Sequence, residues 1–314
     1  MAENNRVLVT GGAGFVGATL VRRLVAGGYE VRVLDNLTTG HTSHLGGVEV
    51  ELIKGDIRDE EALARALLGV SSVVHLAAAG SVVMSVEDPV TNFEVNVLGT
   101  FRVLDGARRA GIARVVLAST GGALIGDAVP PVSEASLPKP ISPYGASKLA
   151  GEGYAHAFAK SYGLSTVALR FANVYGPYSA RKKGAMTMFF RAIDEGEPIV
   201  IYGDGSASRD YTHVEDISRA LQLGLEAELA GGTVLHIASG IETTVTELAD
   251  LCRKAAGVPE HSIEHRPKRP GEVERNFATY DLANEVLGYA PSIGREEGIA
   301  STWEWFANNV FSDD

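Results

Sequence analysis

The chain has 314 residues, 45% hydrophobic and 21% charged, a globular composition that excludes a disordered protein. Lys and Arg total 28 against 39 Asp and Glu, a net charge of −11; this disfavours a nucleic-acid partner, because a polyanion is held by a basic face. The single cysteine, Cys252, excludes an intramolecular disulfide framework and a cysteine zinc cluster, and no metal site is assigned. No apolar run approaches the ~18 residues of a membrane span. The segment from Arg6 to Leu20 is broken by four glycines and has no cleavage site after it, so it does not read as a signal peptide. A cytoplasmic protein without a membrane partner is expected.

Short β-branched runs recur at Arg6–Thr10, Glu30–Leu34, Val48–Ile53, Ser72–Leu76, Arg114–Ala118 and Thr166–Arg170. Between them, helical spacing predicts helices over Val16–Ala26, Glu60–Leu68, Asn92–Ala110 and Tyr144–Tyr162. Alternating strands and helices predict an α/β fold with a parallel sheet covered on both faces. The nearly continuous apolar strands agree with such burial. The regularity ends near residue 176. Beyond it the pattern predicts helices at Met186–Glu195, Val214–Glu228, Thr246–Ala256 and Arg295–Val310, and strands at Ile199–Tyr202 and Val234–Ala238. The expected architecture is a Rossmann-type doubly wound sheet over residues 1–175, a later return to it near 212–240, and a smaller mixed α/β lobe over 176–314.

The first strand runs into Thr10-Gly11-Gly12-Ala13-Gly14-Phe15-Val16-Gly17, and a helix follows. Gly11, Gly14 and Gly17 suit a tight turn, a close backbone approach to a pyrophosphate, and a helix lying against its strand. The helix N-terminus offers free N–H groups to phosphate. Asp35 closes the second strand, where a carboxylate accepts ribose hydroxyls and repels a 2′-phosphate, so NAD is expected rather than NADP. Asp56, after the third strand, fits an adenine-edge contact or a turn residue equally well.

Tyr144 and Lys148 lie four apart at the start of a predicted helix, hence on one face. A free tyrosine, with a pKa near ~10, is a poor base at neutral pH. A neighbouring ammonium and a cationic nicotinamide stabilise the phenolate and lower that pKa.

With these motifs the chain resembles the extended short-chain dehydrogenase/reductase family of sugar-nucleotide epimerases and dehydratases. The resemblance also rests on Asp35-Asn36-Leu37, Gly55-Asp56-Ile57-Arg58-Asp59, His75-Leu76-Ala77-Ala78, Asn96-Val97-Leu98-Gly99-Thr100, Asn173-Val174-Tyr175-Gly176-Pro177, Tyr202-Gly203-Asp204-Gly205, Arg209-Asp210-Tyr211 and Arg269-Pro270-Gly271-Glu272. Within that family it is most similar to the UDP-glucose 4-epimerases. The resemblance implies that Tyr144 takes the proton of the sugar 4-hydroxyl while a hydride moves to tightly held NAD and returns to the other face of a 4-keto sugar. Lys148 would tune Tyr144. Cofactor contacts are implied for Gly11, Gly14, Phe15, Val16, Gly17, Asp35, Asn36, Leu37, Thr38, Gly40, Asp56, Ile57, Leu76, Ala77, Ala78, Asn96, Ser119, Tyr144, Lys148 and Val174. For a UDP-sugar, Asn173, Arg209 and Arg269 would meet the diphosphate, Val200 and Tyr202 the uracil, and Glu272 its ribose. A homodimer through the Asn92–Ala110 and Tyr144–Tyr162 helices is also implied.

Two segments depart from the family pattern. Gly121 stands where a Ser or Thr hydroxyl is expected to meet the sugar 4-oxygen, and Ile125 replaces a tyrosine; Thr120 is the candidate for that hydroxyl, with Ser119 beside it. The segment Ser179–Gly184, with Arg181, Lys182 and Lys183, fits a cation aimed at a phosphate or an acidic sugar, or a solvated loop. Gly121 and Gly122 also occupy the places of the Asp-Glu pair that sugar-nucleotide dehydratases carry. Asn276, where a large aromatic would limit the sugar 2-substituent, leaves room for an N-acetyl group. A UDP-glucuronate epimerase or decarboxylase stays open. A non-enzymatic NAD-binding regulator is a further reading, although such proteins typically lose the Tyr or the Lys.

Overall fold

The six apolar runs of the first half become neighbouring strands. The computed structural model describes residues 5–268 and 273–311. Its first half comprises β1 (Arg6–Thr10), α1 (Phe15–Ala26), β2 (Glu30–Asp35), β3 (Glu51–Lys54), α2 (Glu60–Leu67), β4 (Ser72–His75), α3 (Val82–Glu87), α4 (Pro89–Phe93), α5 (Gly99–Arg109), β5 (Arg114–Thr120), α6 (Gly122–Ile125), α7 (Pro143–Tyr162) and β6 (Ser165–Phe171). There follow β7 (Asn173–Tyr175), α8 (Ala185–Asp194), β8 (Ile199–Tyr202), β9 (Ser208–His213), α9 (Val214–Glu226) and β10 (Thr233–Ile237). The chain continues through β11 (Glu242–Thr244), α10 (Val245–Ala255), β12 (Ile263–Arg266), β13 (Arg275–Asn276), α11 (Asp281–Leu287) and α12 (Arg295–Asn309).

Seven strands form one parallel sheet in the order β10-β6-β5-β4-β1-β2-β3. The winding direction reverses between β1 and β4, which opens a crevice at the carboxyl ends of the strands. Strand alternation divides the core. Val7 and Val9 pack on one face with Leu20 and Leu24 of α1 and Ile217 and Leu221 of α9. Leu8 packs on the other with Leu63 of α2, Leu104 of α5 and Phe158 of α7. Helices on both faces match the α/β expectation.

Two expected elements differ in extent. Pairing along β2 reaches β3 only over Arg32–Asp35 against Glu51–Lys54, so Val48 and Val50 join the core from irregular backbone. The long helix expected over 92–110 starts earlier and is interrupted. Asp88 accepts the Thr91 N–H and Pro89 takes the first turn. Residues Glu94–Leu98 then form a π-helical turn that leads into α5. That turn places Asn96 against the loop after β4, a tertiary contact that no local periodicity reports.

The C-terminal part has its own core of Phe189, Phe190, Ile199, Ile201, Leu248, Cys252, Ile299 and Phe306. The polar run Ser208–His213 carries no strand alternation, yet it forms β9. Strands β11 and β13 flank its first half, and β7 pairs with its second. Helix α9 and β10 return to the large sheet.

Leu104 is fully buried. Leu104→Ala is expected to cost about 2–5 kcal/mol. Urea denaturation should show a lower midpoint with an unchanged slope. Val129→Ala, at a 90% exposed position, should change stability by less than about 0.5 kcal/mol.

Candidate functional site

The crevice is built on the turn between β1 and α1. Gly11 adopts φ +71°, and a Cβ there would lie 2.7 Å from the Ala77 nitrogen of the loop after β4. A Cβ on Gly17 would collide with the Gly11 carbonyl. No side chain caps α1, whose N-cap is Gly14, so the first-turn amides of Phe15 and Val16 are available to an anion.

Asp35 holds this turn from the end of β2. Its Oδ2 accepts the Ala13 N–H at 2.9 Å, and its Oδ1 accepts the Leu37 N–H at 2.8 Å. Each oxygen keeps one further acceptor position for a ribose hydroxyl. Leu37 has φ +60°, and Thr38 donates from its N–H and hydroxyl to Asn36 Oδ1. Gly40 lies against the backbone of Ala13. Asp56 is already engaged: Arg58 contacts both carboxylate oxygens at 2.9–3.0 Å and Asn36 Nδ2 donates at 3.0 Å. The guanidinium holds the Asp56 carboxyl at about 2, below the usual range. The Ile57 side chain is buried in the core, so any ligand contact from that position falls to its backbone.

Leu76, Ala77 and Ala78 are half-buried beyond β4. Thr10 Oγ1 lies 2.7 Å from His75 Nδ1 and accepts the Ala77 N–H at 3.3 Å. His75 Nε2 meets Thr100 Oγ1 at 3.0 Å. Burial pushes His75 down to about 3, so the ring is neutral and acts as a bridge. Asn96 is buried. Its Oδ1 accepts the Ala79 N–H at 2.8 Å, and its Nδ2 donates to the Ala79 carbonyl and to Ser147 Oγ, each at 3.1 Å. It therefore clamps this loop to α7.

Ser142 and Pro143 start α7, with the Ser142 hydroxyl accepting the Gly145 N–H at 3.2 Å. Ser85 Oγ accepts the Tyr144 N–H at 3.1 Å. Lys148 donates to the Ala118 carbonyl at 3.0 Å, and its ammonium lies 5.9 Å from the centre of the Tyr144 ring. Burial pushes the phenol up to about 12 and Lys148 down to about 8. The lowered phenol expected from the Tyr-Lys spacing is thus not produced by the chain alone, because the cost of burying a phenolate outweighs Lys148 at this distance.

Thr120 and Ser119 divide between opposite faces of β5. Thr120 is half-exposed, and among the described residues its hydroxyl has no hydrogen-bond partner. Ser119 is buried and donates to Glu152 Oε1 at 2.6 Å. That bond commits the Ser119 hydroxyl proton to Glu152. Gly121 packs on the His236 ring, and Gly122 on the Asn276 amide.

On the other wall, Asn173 lies on β7, while the Val174 side chain belongs to the core. The Val174 carbonyl accepts the Lys182 ammonium at 2.5 Å. Burial of that ammonium pushes it down to about 8, although the stem is exposed; Lys182 turns its tip inward, so Ser179–Gly184 is not merely a solvated loop. Val200 and Tyr202 share the face of β8 opposite the buried Ile199 and Ile201. Arg209 donates to the Ser208 and Glu274 carbonyls and makes no salt bridge among the described residues. Arg269 and Glu272 lie outside the described residues.

Sequence reasoning gave His75 no role beyond its motif and missed Ser85 and the pair Glu152–Arg170. Glu152 carried a signal: it continues the four-residue spacing of Tyr144 and Lys148.

Comparison with known proteins gives this arrangement its family. The model of the NAD dependent epimerase/dehydratase family matches residues 7–238. The chain is 39% identical to the UDP-glucose 4-epimerase of Mycolicibacterium smegmatis over 96% of its own length and 99% of that protein. A crystal structure of UDP-glucose 4-epimerase from Thermotoga maritima with UDP-glucose superposes with a TM-score of 0.92 at 37% identity, covering 96% of this chain and 99% of that one. The UDP-glucose 4-epimerase of Thermus thermophilus, in complex with NAD, gives 0.89 at 39% identity, covering 97% and 100%. More distant relatives, at 33% and 30% identity, are named dTDP-glucose 4,6-dehydratase and probable UDP-glucuronate 4-epimerase. The chain belongs to the NAD dependent epimerase/dehydratase family and is an NAD-dependent enzyme of the epimerase type. The glycine turn and the uncapped α1 suit that cofactor.

Gly17→Ala sets a methyl group against the Gly11 carbonyl. It should abolish retention of NAD through purification and cost about 1–3 kcal/mol in stability. Absorbance of the cofactor released on denaturation and a thermal melt check both.

Proposed function

We propose that this member of the NAD dependent epimerase/dehydratase family interconverts the 4-epimers of a UDP-hexose of the UDP-glucose/UDP-galactose type, as a cytoplasmic homodimer. The observation that carries this reading is the Tyr144–Lys148 pair anchored on the Ala118 carbonyl of β5, two residues before Thr120, whose hydroxyl has no partner among the described residues, with glycines at 121 and 122 where a dehydratase would carry acids.

NAD bound along the glycine turn would supply a nicotinamide that accepts the C4 hydride and returns it. Tyr144 removes the proton at the 4-hydroxyl oxygen. Burial disfavours its phenolate by more than Lys148 offsets, and oxidised NAD, when bound, would supply the further positive charge. Lys148 holds the phenolate through its ammonium. Thr120 donates to the same sugar oxygen and fixes its direction. Asn173 and Arg209 meet the diphosphate, Arg209 with a guanidinium that no carboxylate occupies among the described residues; Arg269 is assigned there too. Val200 and Tyr202 flank the uracil, and Glu272 takes its ribose hydroxyls. The lobe over 176–314 is assigned to the nucleotide sugar and residues 1–175 to NAD.

Asn276 favours a second substrate. Its amide lies against Gly122 and has no hydrogen-bond partner among the described residues, so a 2-acetamido group meets a polar side chain there instead of an aromatic ring. Incubation with UDP-glucose and with UDP-N-acetylglucosamine, without added cofactor, and NMR of the products, tests both. The wild type should turn over at least one. Tyr144→Phe should lose activity by about 10²–10⁴-fold, the worth of a general base. Undiminished epimerisation in that variant rejects the mechanism; no turnover of any UDP-sugar by the wild type favours the regulator reading. Turnover of UDP-glucose alone rejects the acetamido reading.

The dimer reading is supported by apolar side chains left in solvent on α4, the π-helical turn, α5 and α7: Val90, Phe93, Leu98, Phe101, Tyr154 and Tyr162. Light scattering at micromolar concentration should give twice the 33.1 kDa chain mass, and Phe101→Glu should reduce it to one. A monomeric wild type rejects this reading.

A further inference from the structure

Behind the end of β5 lies a charged cluster that the chemistry above leaves unused. Glu152 follows Lys148 by one turn on the same face of α7. Its Oε1 accepts from Ser119 Oγ at 2.6 Å and from Arg170 Nε at 2.9 Å; its Oε2 accepts from Arg170 Nη2 at 2.8 Å. Both side chains of the ion pair are 6% exposed. Ser119 adjoins Ala118, whose carbonyl accepts the Lys148 ammonium. One carboxylate thus ties α7, β5 and β6 together beside the reacting pair.

The charges around Lys148 are few. Tyr144 and Glu152 share α7 with it. Arg170 comes from β6, with His236 of β10 paired beside it, and His75 comes from β4. Burial pushes His236 and His75 down to about 4 and 3, so both are neutral near pH 7. Arg170 cannot lose its proton. Its Nη1 and His236 Nε2 lack partners among the described residues; Glu134 accepts the His236 backbone N–H at 2.6 Å, and Glu152 is the carboxylate that pairs with the guanidinium among the described residues. Glu152 is the carboxylate that favours the Lys148 ammonium against burial; without it Arg170 loses its ion-pair partner, and of the two cations Lys148 is the one able to yield its proton.

We propose that Glu152 is a positioning residue for the reaction: held by Arg170 and Ser119, it cancels the arginine charge and keeps Lys148 an ammonium beside Tyr144. The role rests on the Tyr144–Lys148 reading given above. Removing the negative charge favours the deprotonated form of both neighbours, and removing the positive charge favours the protonated form.

The test compares wild type, Glu152→Gln, Arg170→Gln and the double variant, all loaded with NAD. Two readouts are taken: the pH profile of UDP-glucose epimerisation, and the pH titration of tyrosinate absorbance, with the Tyr144→Phe spectrum subtracted to isolate Tyr144. Glu152→Gln should move both limbs of the profile and the Tyr144 titration down by roughly one pH unit, Arg170→Gln should move them up by a similar amount, and the double variant should return near wild type. Unmoved limbs in folded Glu152→Gln, or both single variants shifting in the same direction, overturn the proposal. If Glu152→Gln does not fold, Arg170→Gln and the double variant still differ only in the Glu152 charge, and equal titrations in that pair overturn it equally. Failure of the epimerase reading shows separately, as activity surviving in Tyr144→Phe, while the spectroscopic titration still reports on Glu152.

Discussion

The structure depends on a close seam at the carboxyl ends of β1, β2 and β4. Asp35 accepts two backbone N–H groups across that seam, one from the glycine turn and one from its own loop. Thr10 bridges to Ala77 and His75 from the other side. A turn held this tightly leaves no room for side chains at Gly11 or Gly17. In return it aims the first amides of α1 into the crevice. Anion binding here is a property of backbone geometry, so it needs no basic side chain.

The same seam sets the position of α7. Asn96 joins the loop after β4 to Ser147, and Ser85 joins α3 to the Tyr144 backbone. Tyr144 and Lys148 are therefore placed by contacts from three separate segments of the chain. Their burial has a chemical consequence. It raises the phenol and lowers the amine, so both groups are poised to respond to added charge. A cationic ligand group changes the balance at Tyr144 more strongly here than it would in water.

Among the described residues, some cations of this acidic chain stand apart from its many carboxylates. Most arginines in the chain with ion pairs meet their partners at the surface. Arg209 is different: among the described residues its guanidinium donates to carbonyl oxygens alone, and the Lys182 ammonium does the same. The net charge of −11 thus speaks against extended polyanions and not against small phosphorylated ligands.

Much of the fold was legible in the chain itself. Spacing of β-branched runs marked the large sheet, and the glycine turn after β1, Asp35 at the end of β2 and the start of α7 near Tyr144 were placed by the sequence. Such features depend on local periodicity, which the polypeptide carries within about ten residues. The strand β9 was not legible, because its polar residues adopt extended backbone only through partners on both sides. The interrupted helix before α5 was not legible either, since the π-helical turn is linked to a contact with Ala79. The division between Ser119 and Thr120 shows the boundary most clearly. Alternation along β5 determines that these neighbours point to opposite faces. Which face holds Glu152 and which faces the crevice is decided only when α7 and β6 pack, because burial and hydrogen bonding come from residues distant in the chain.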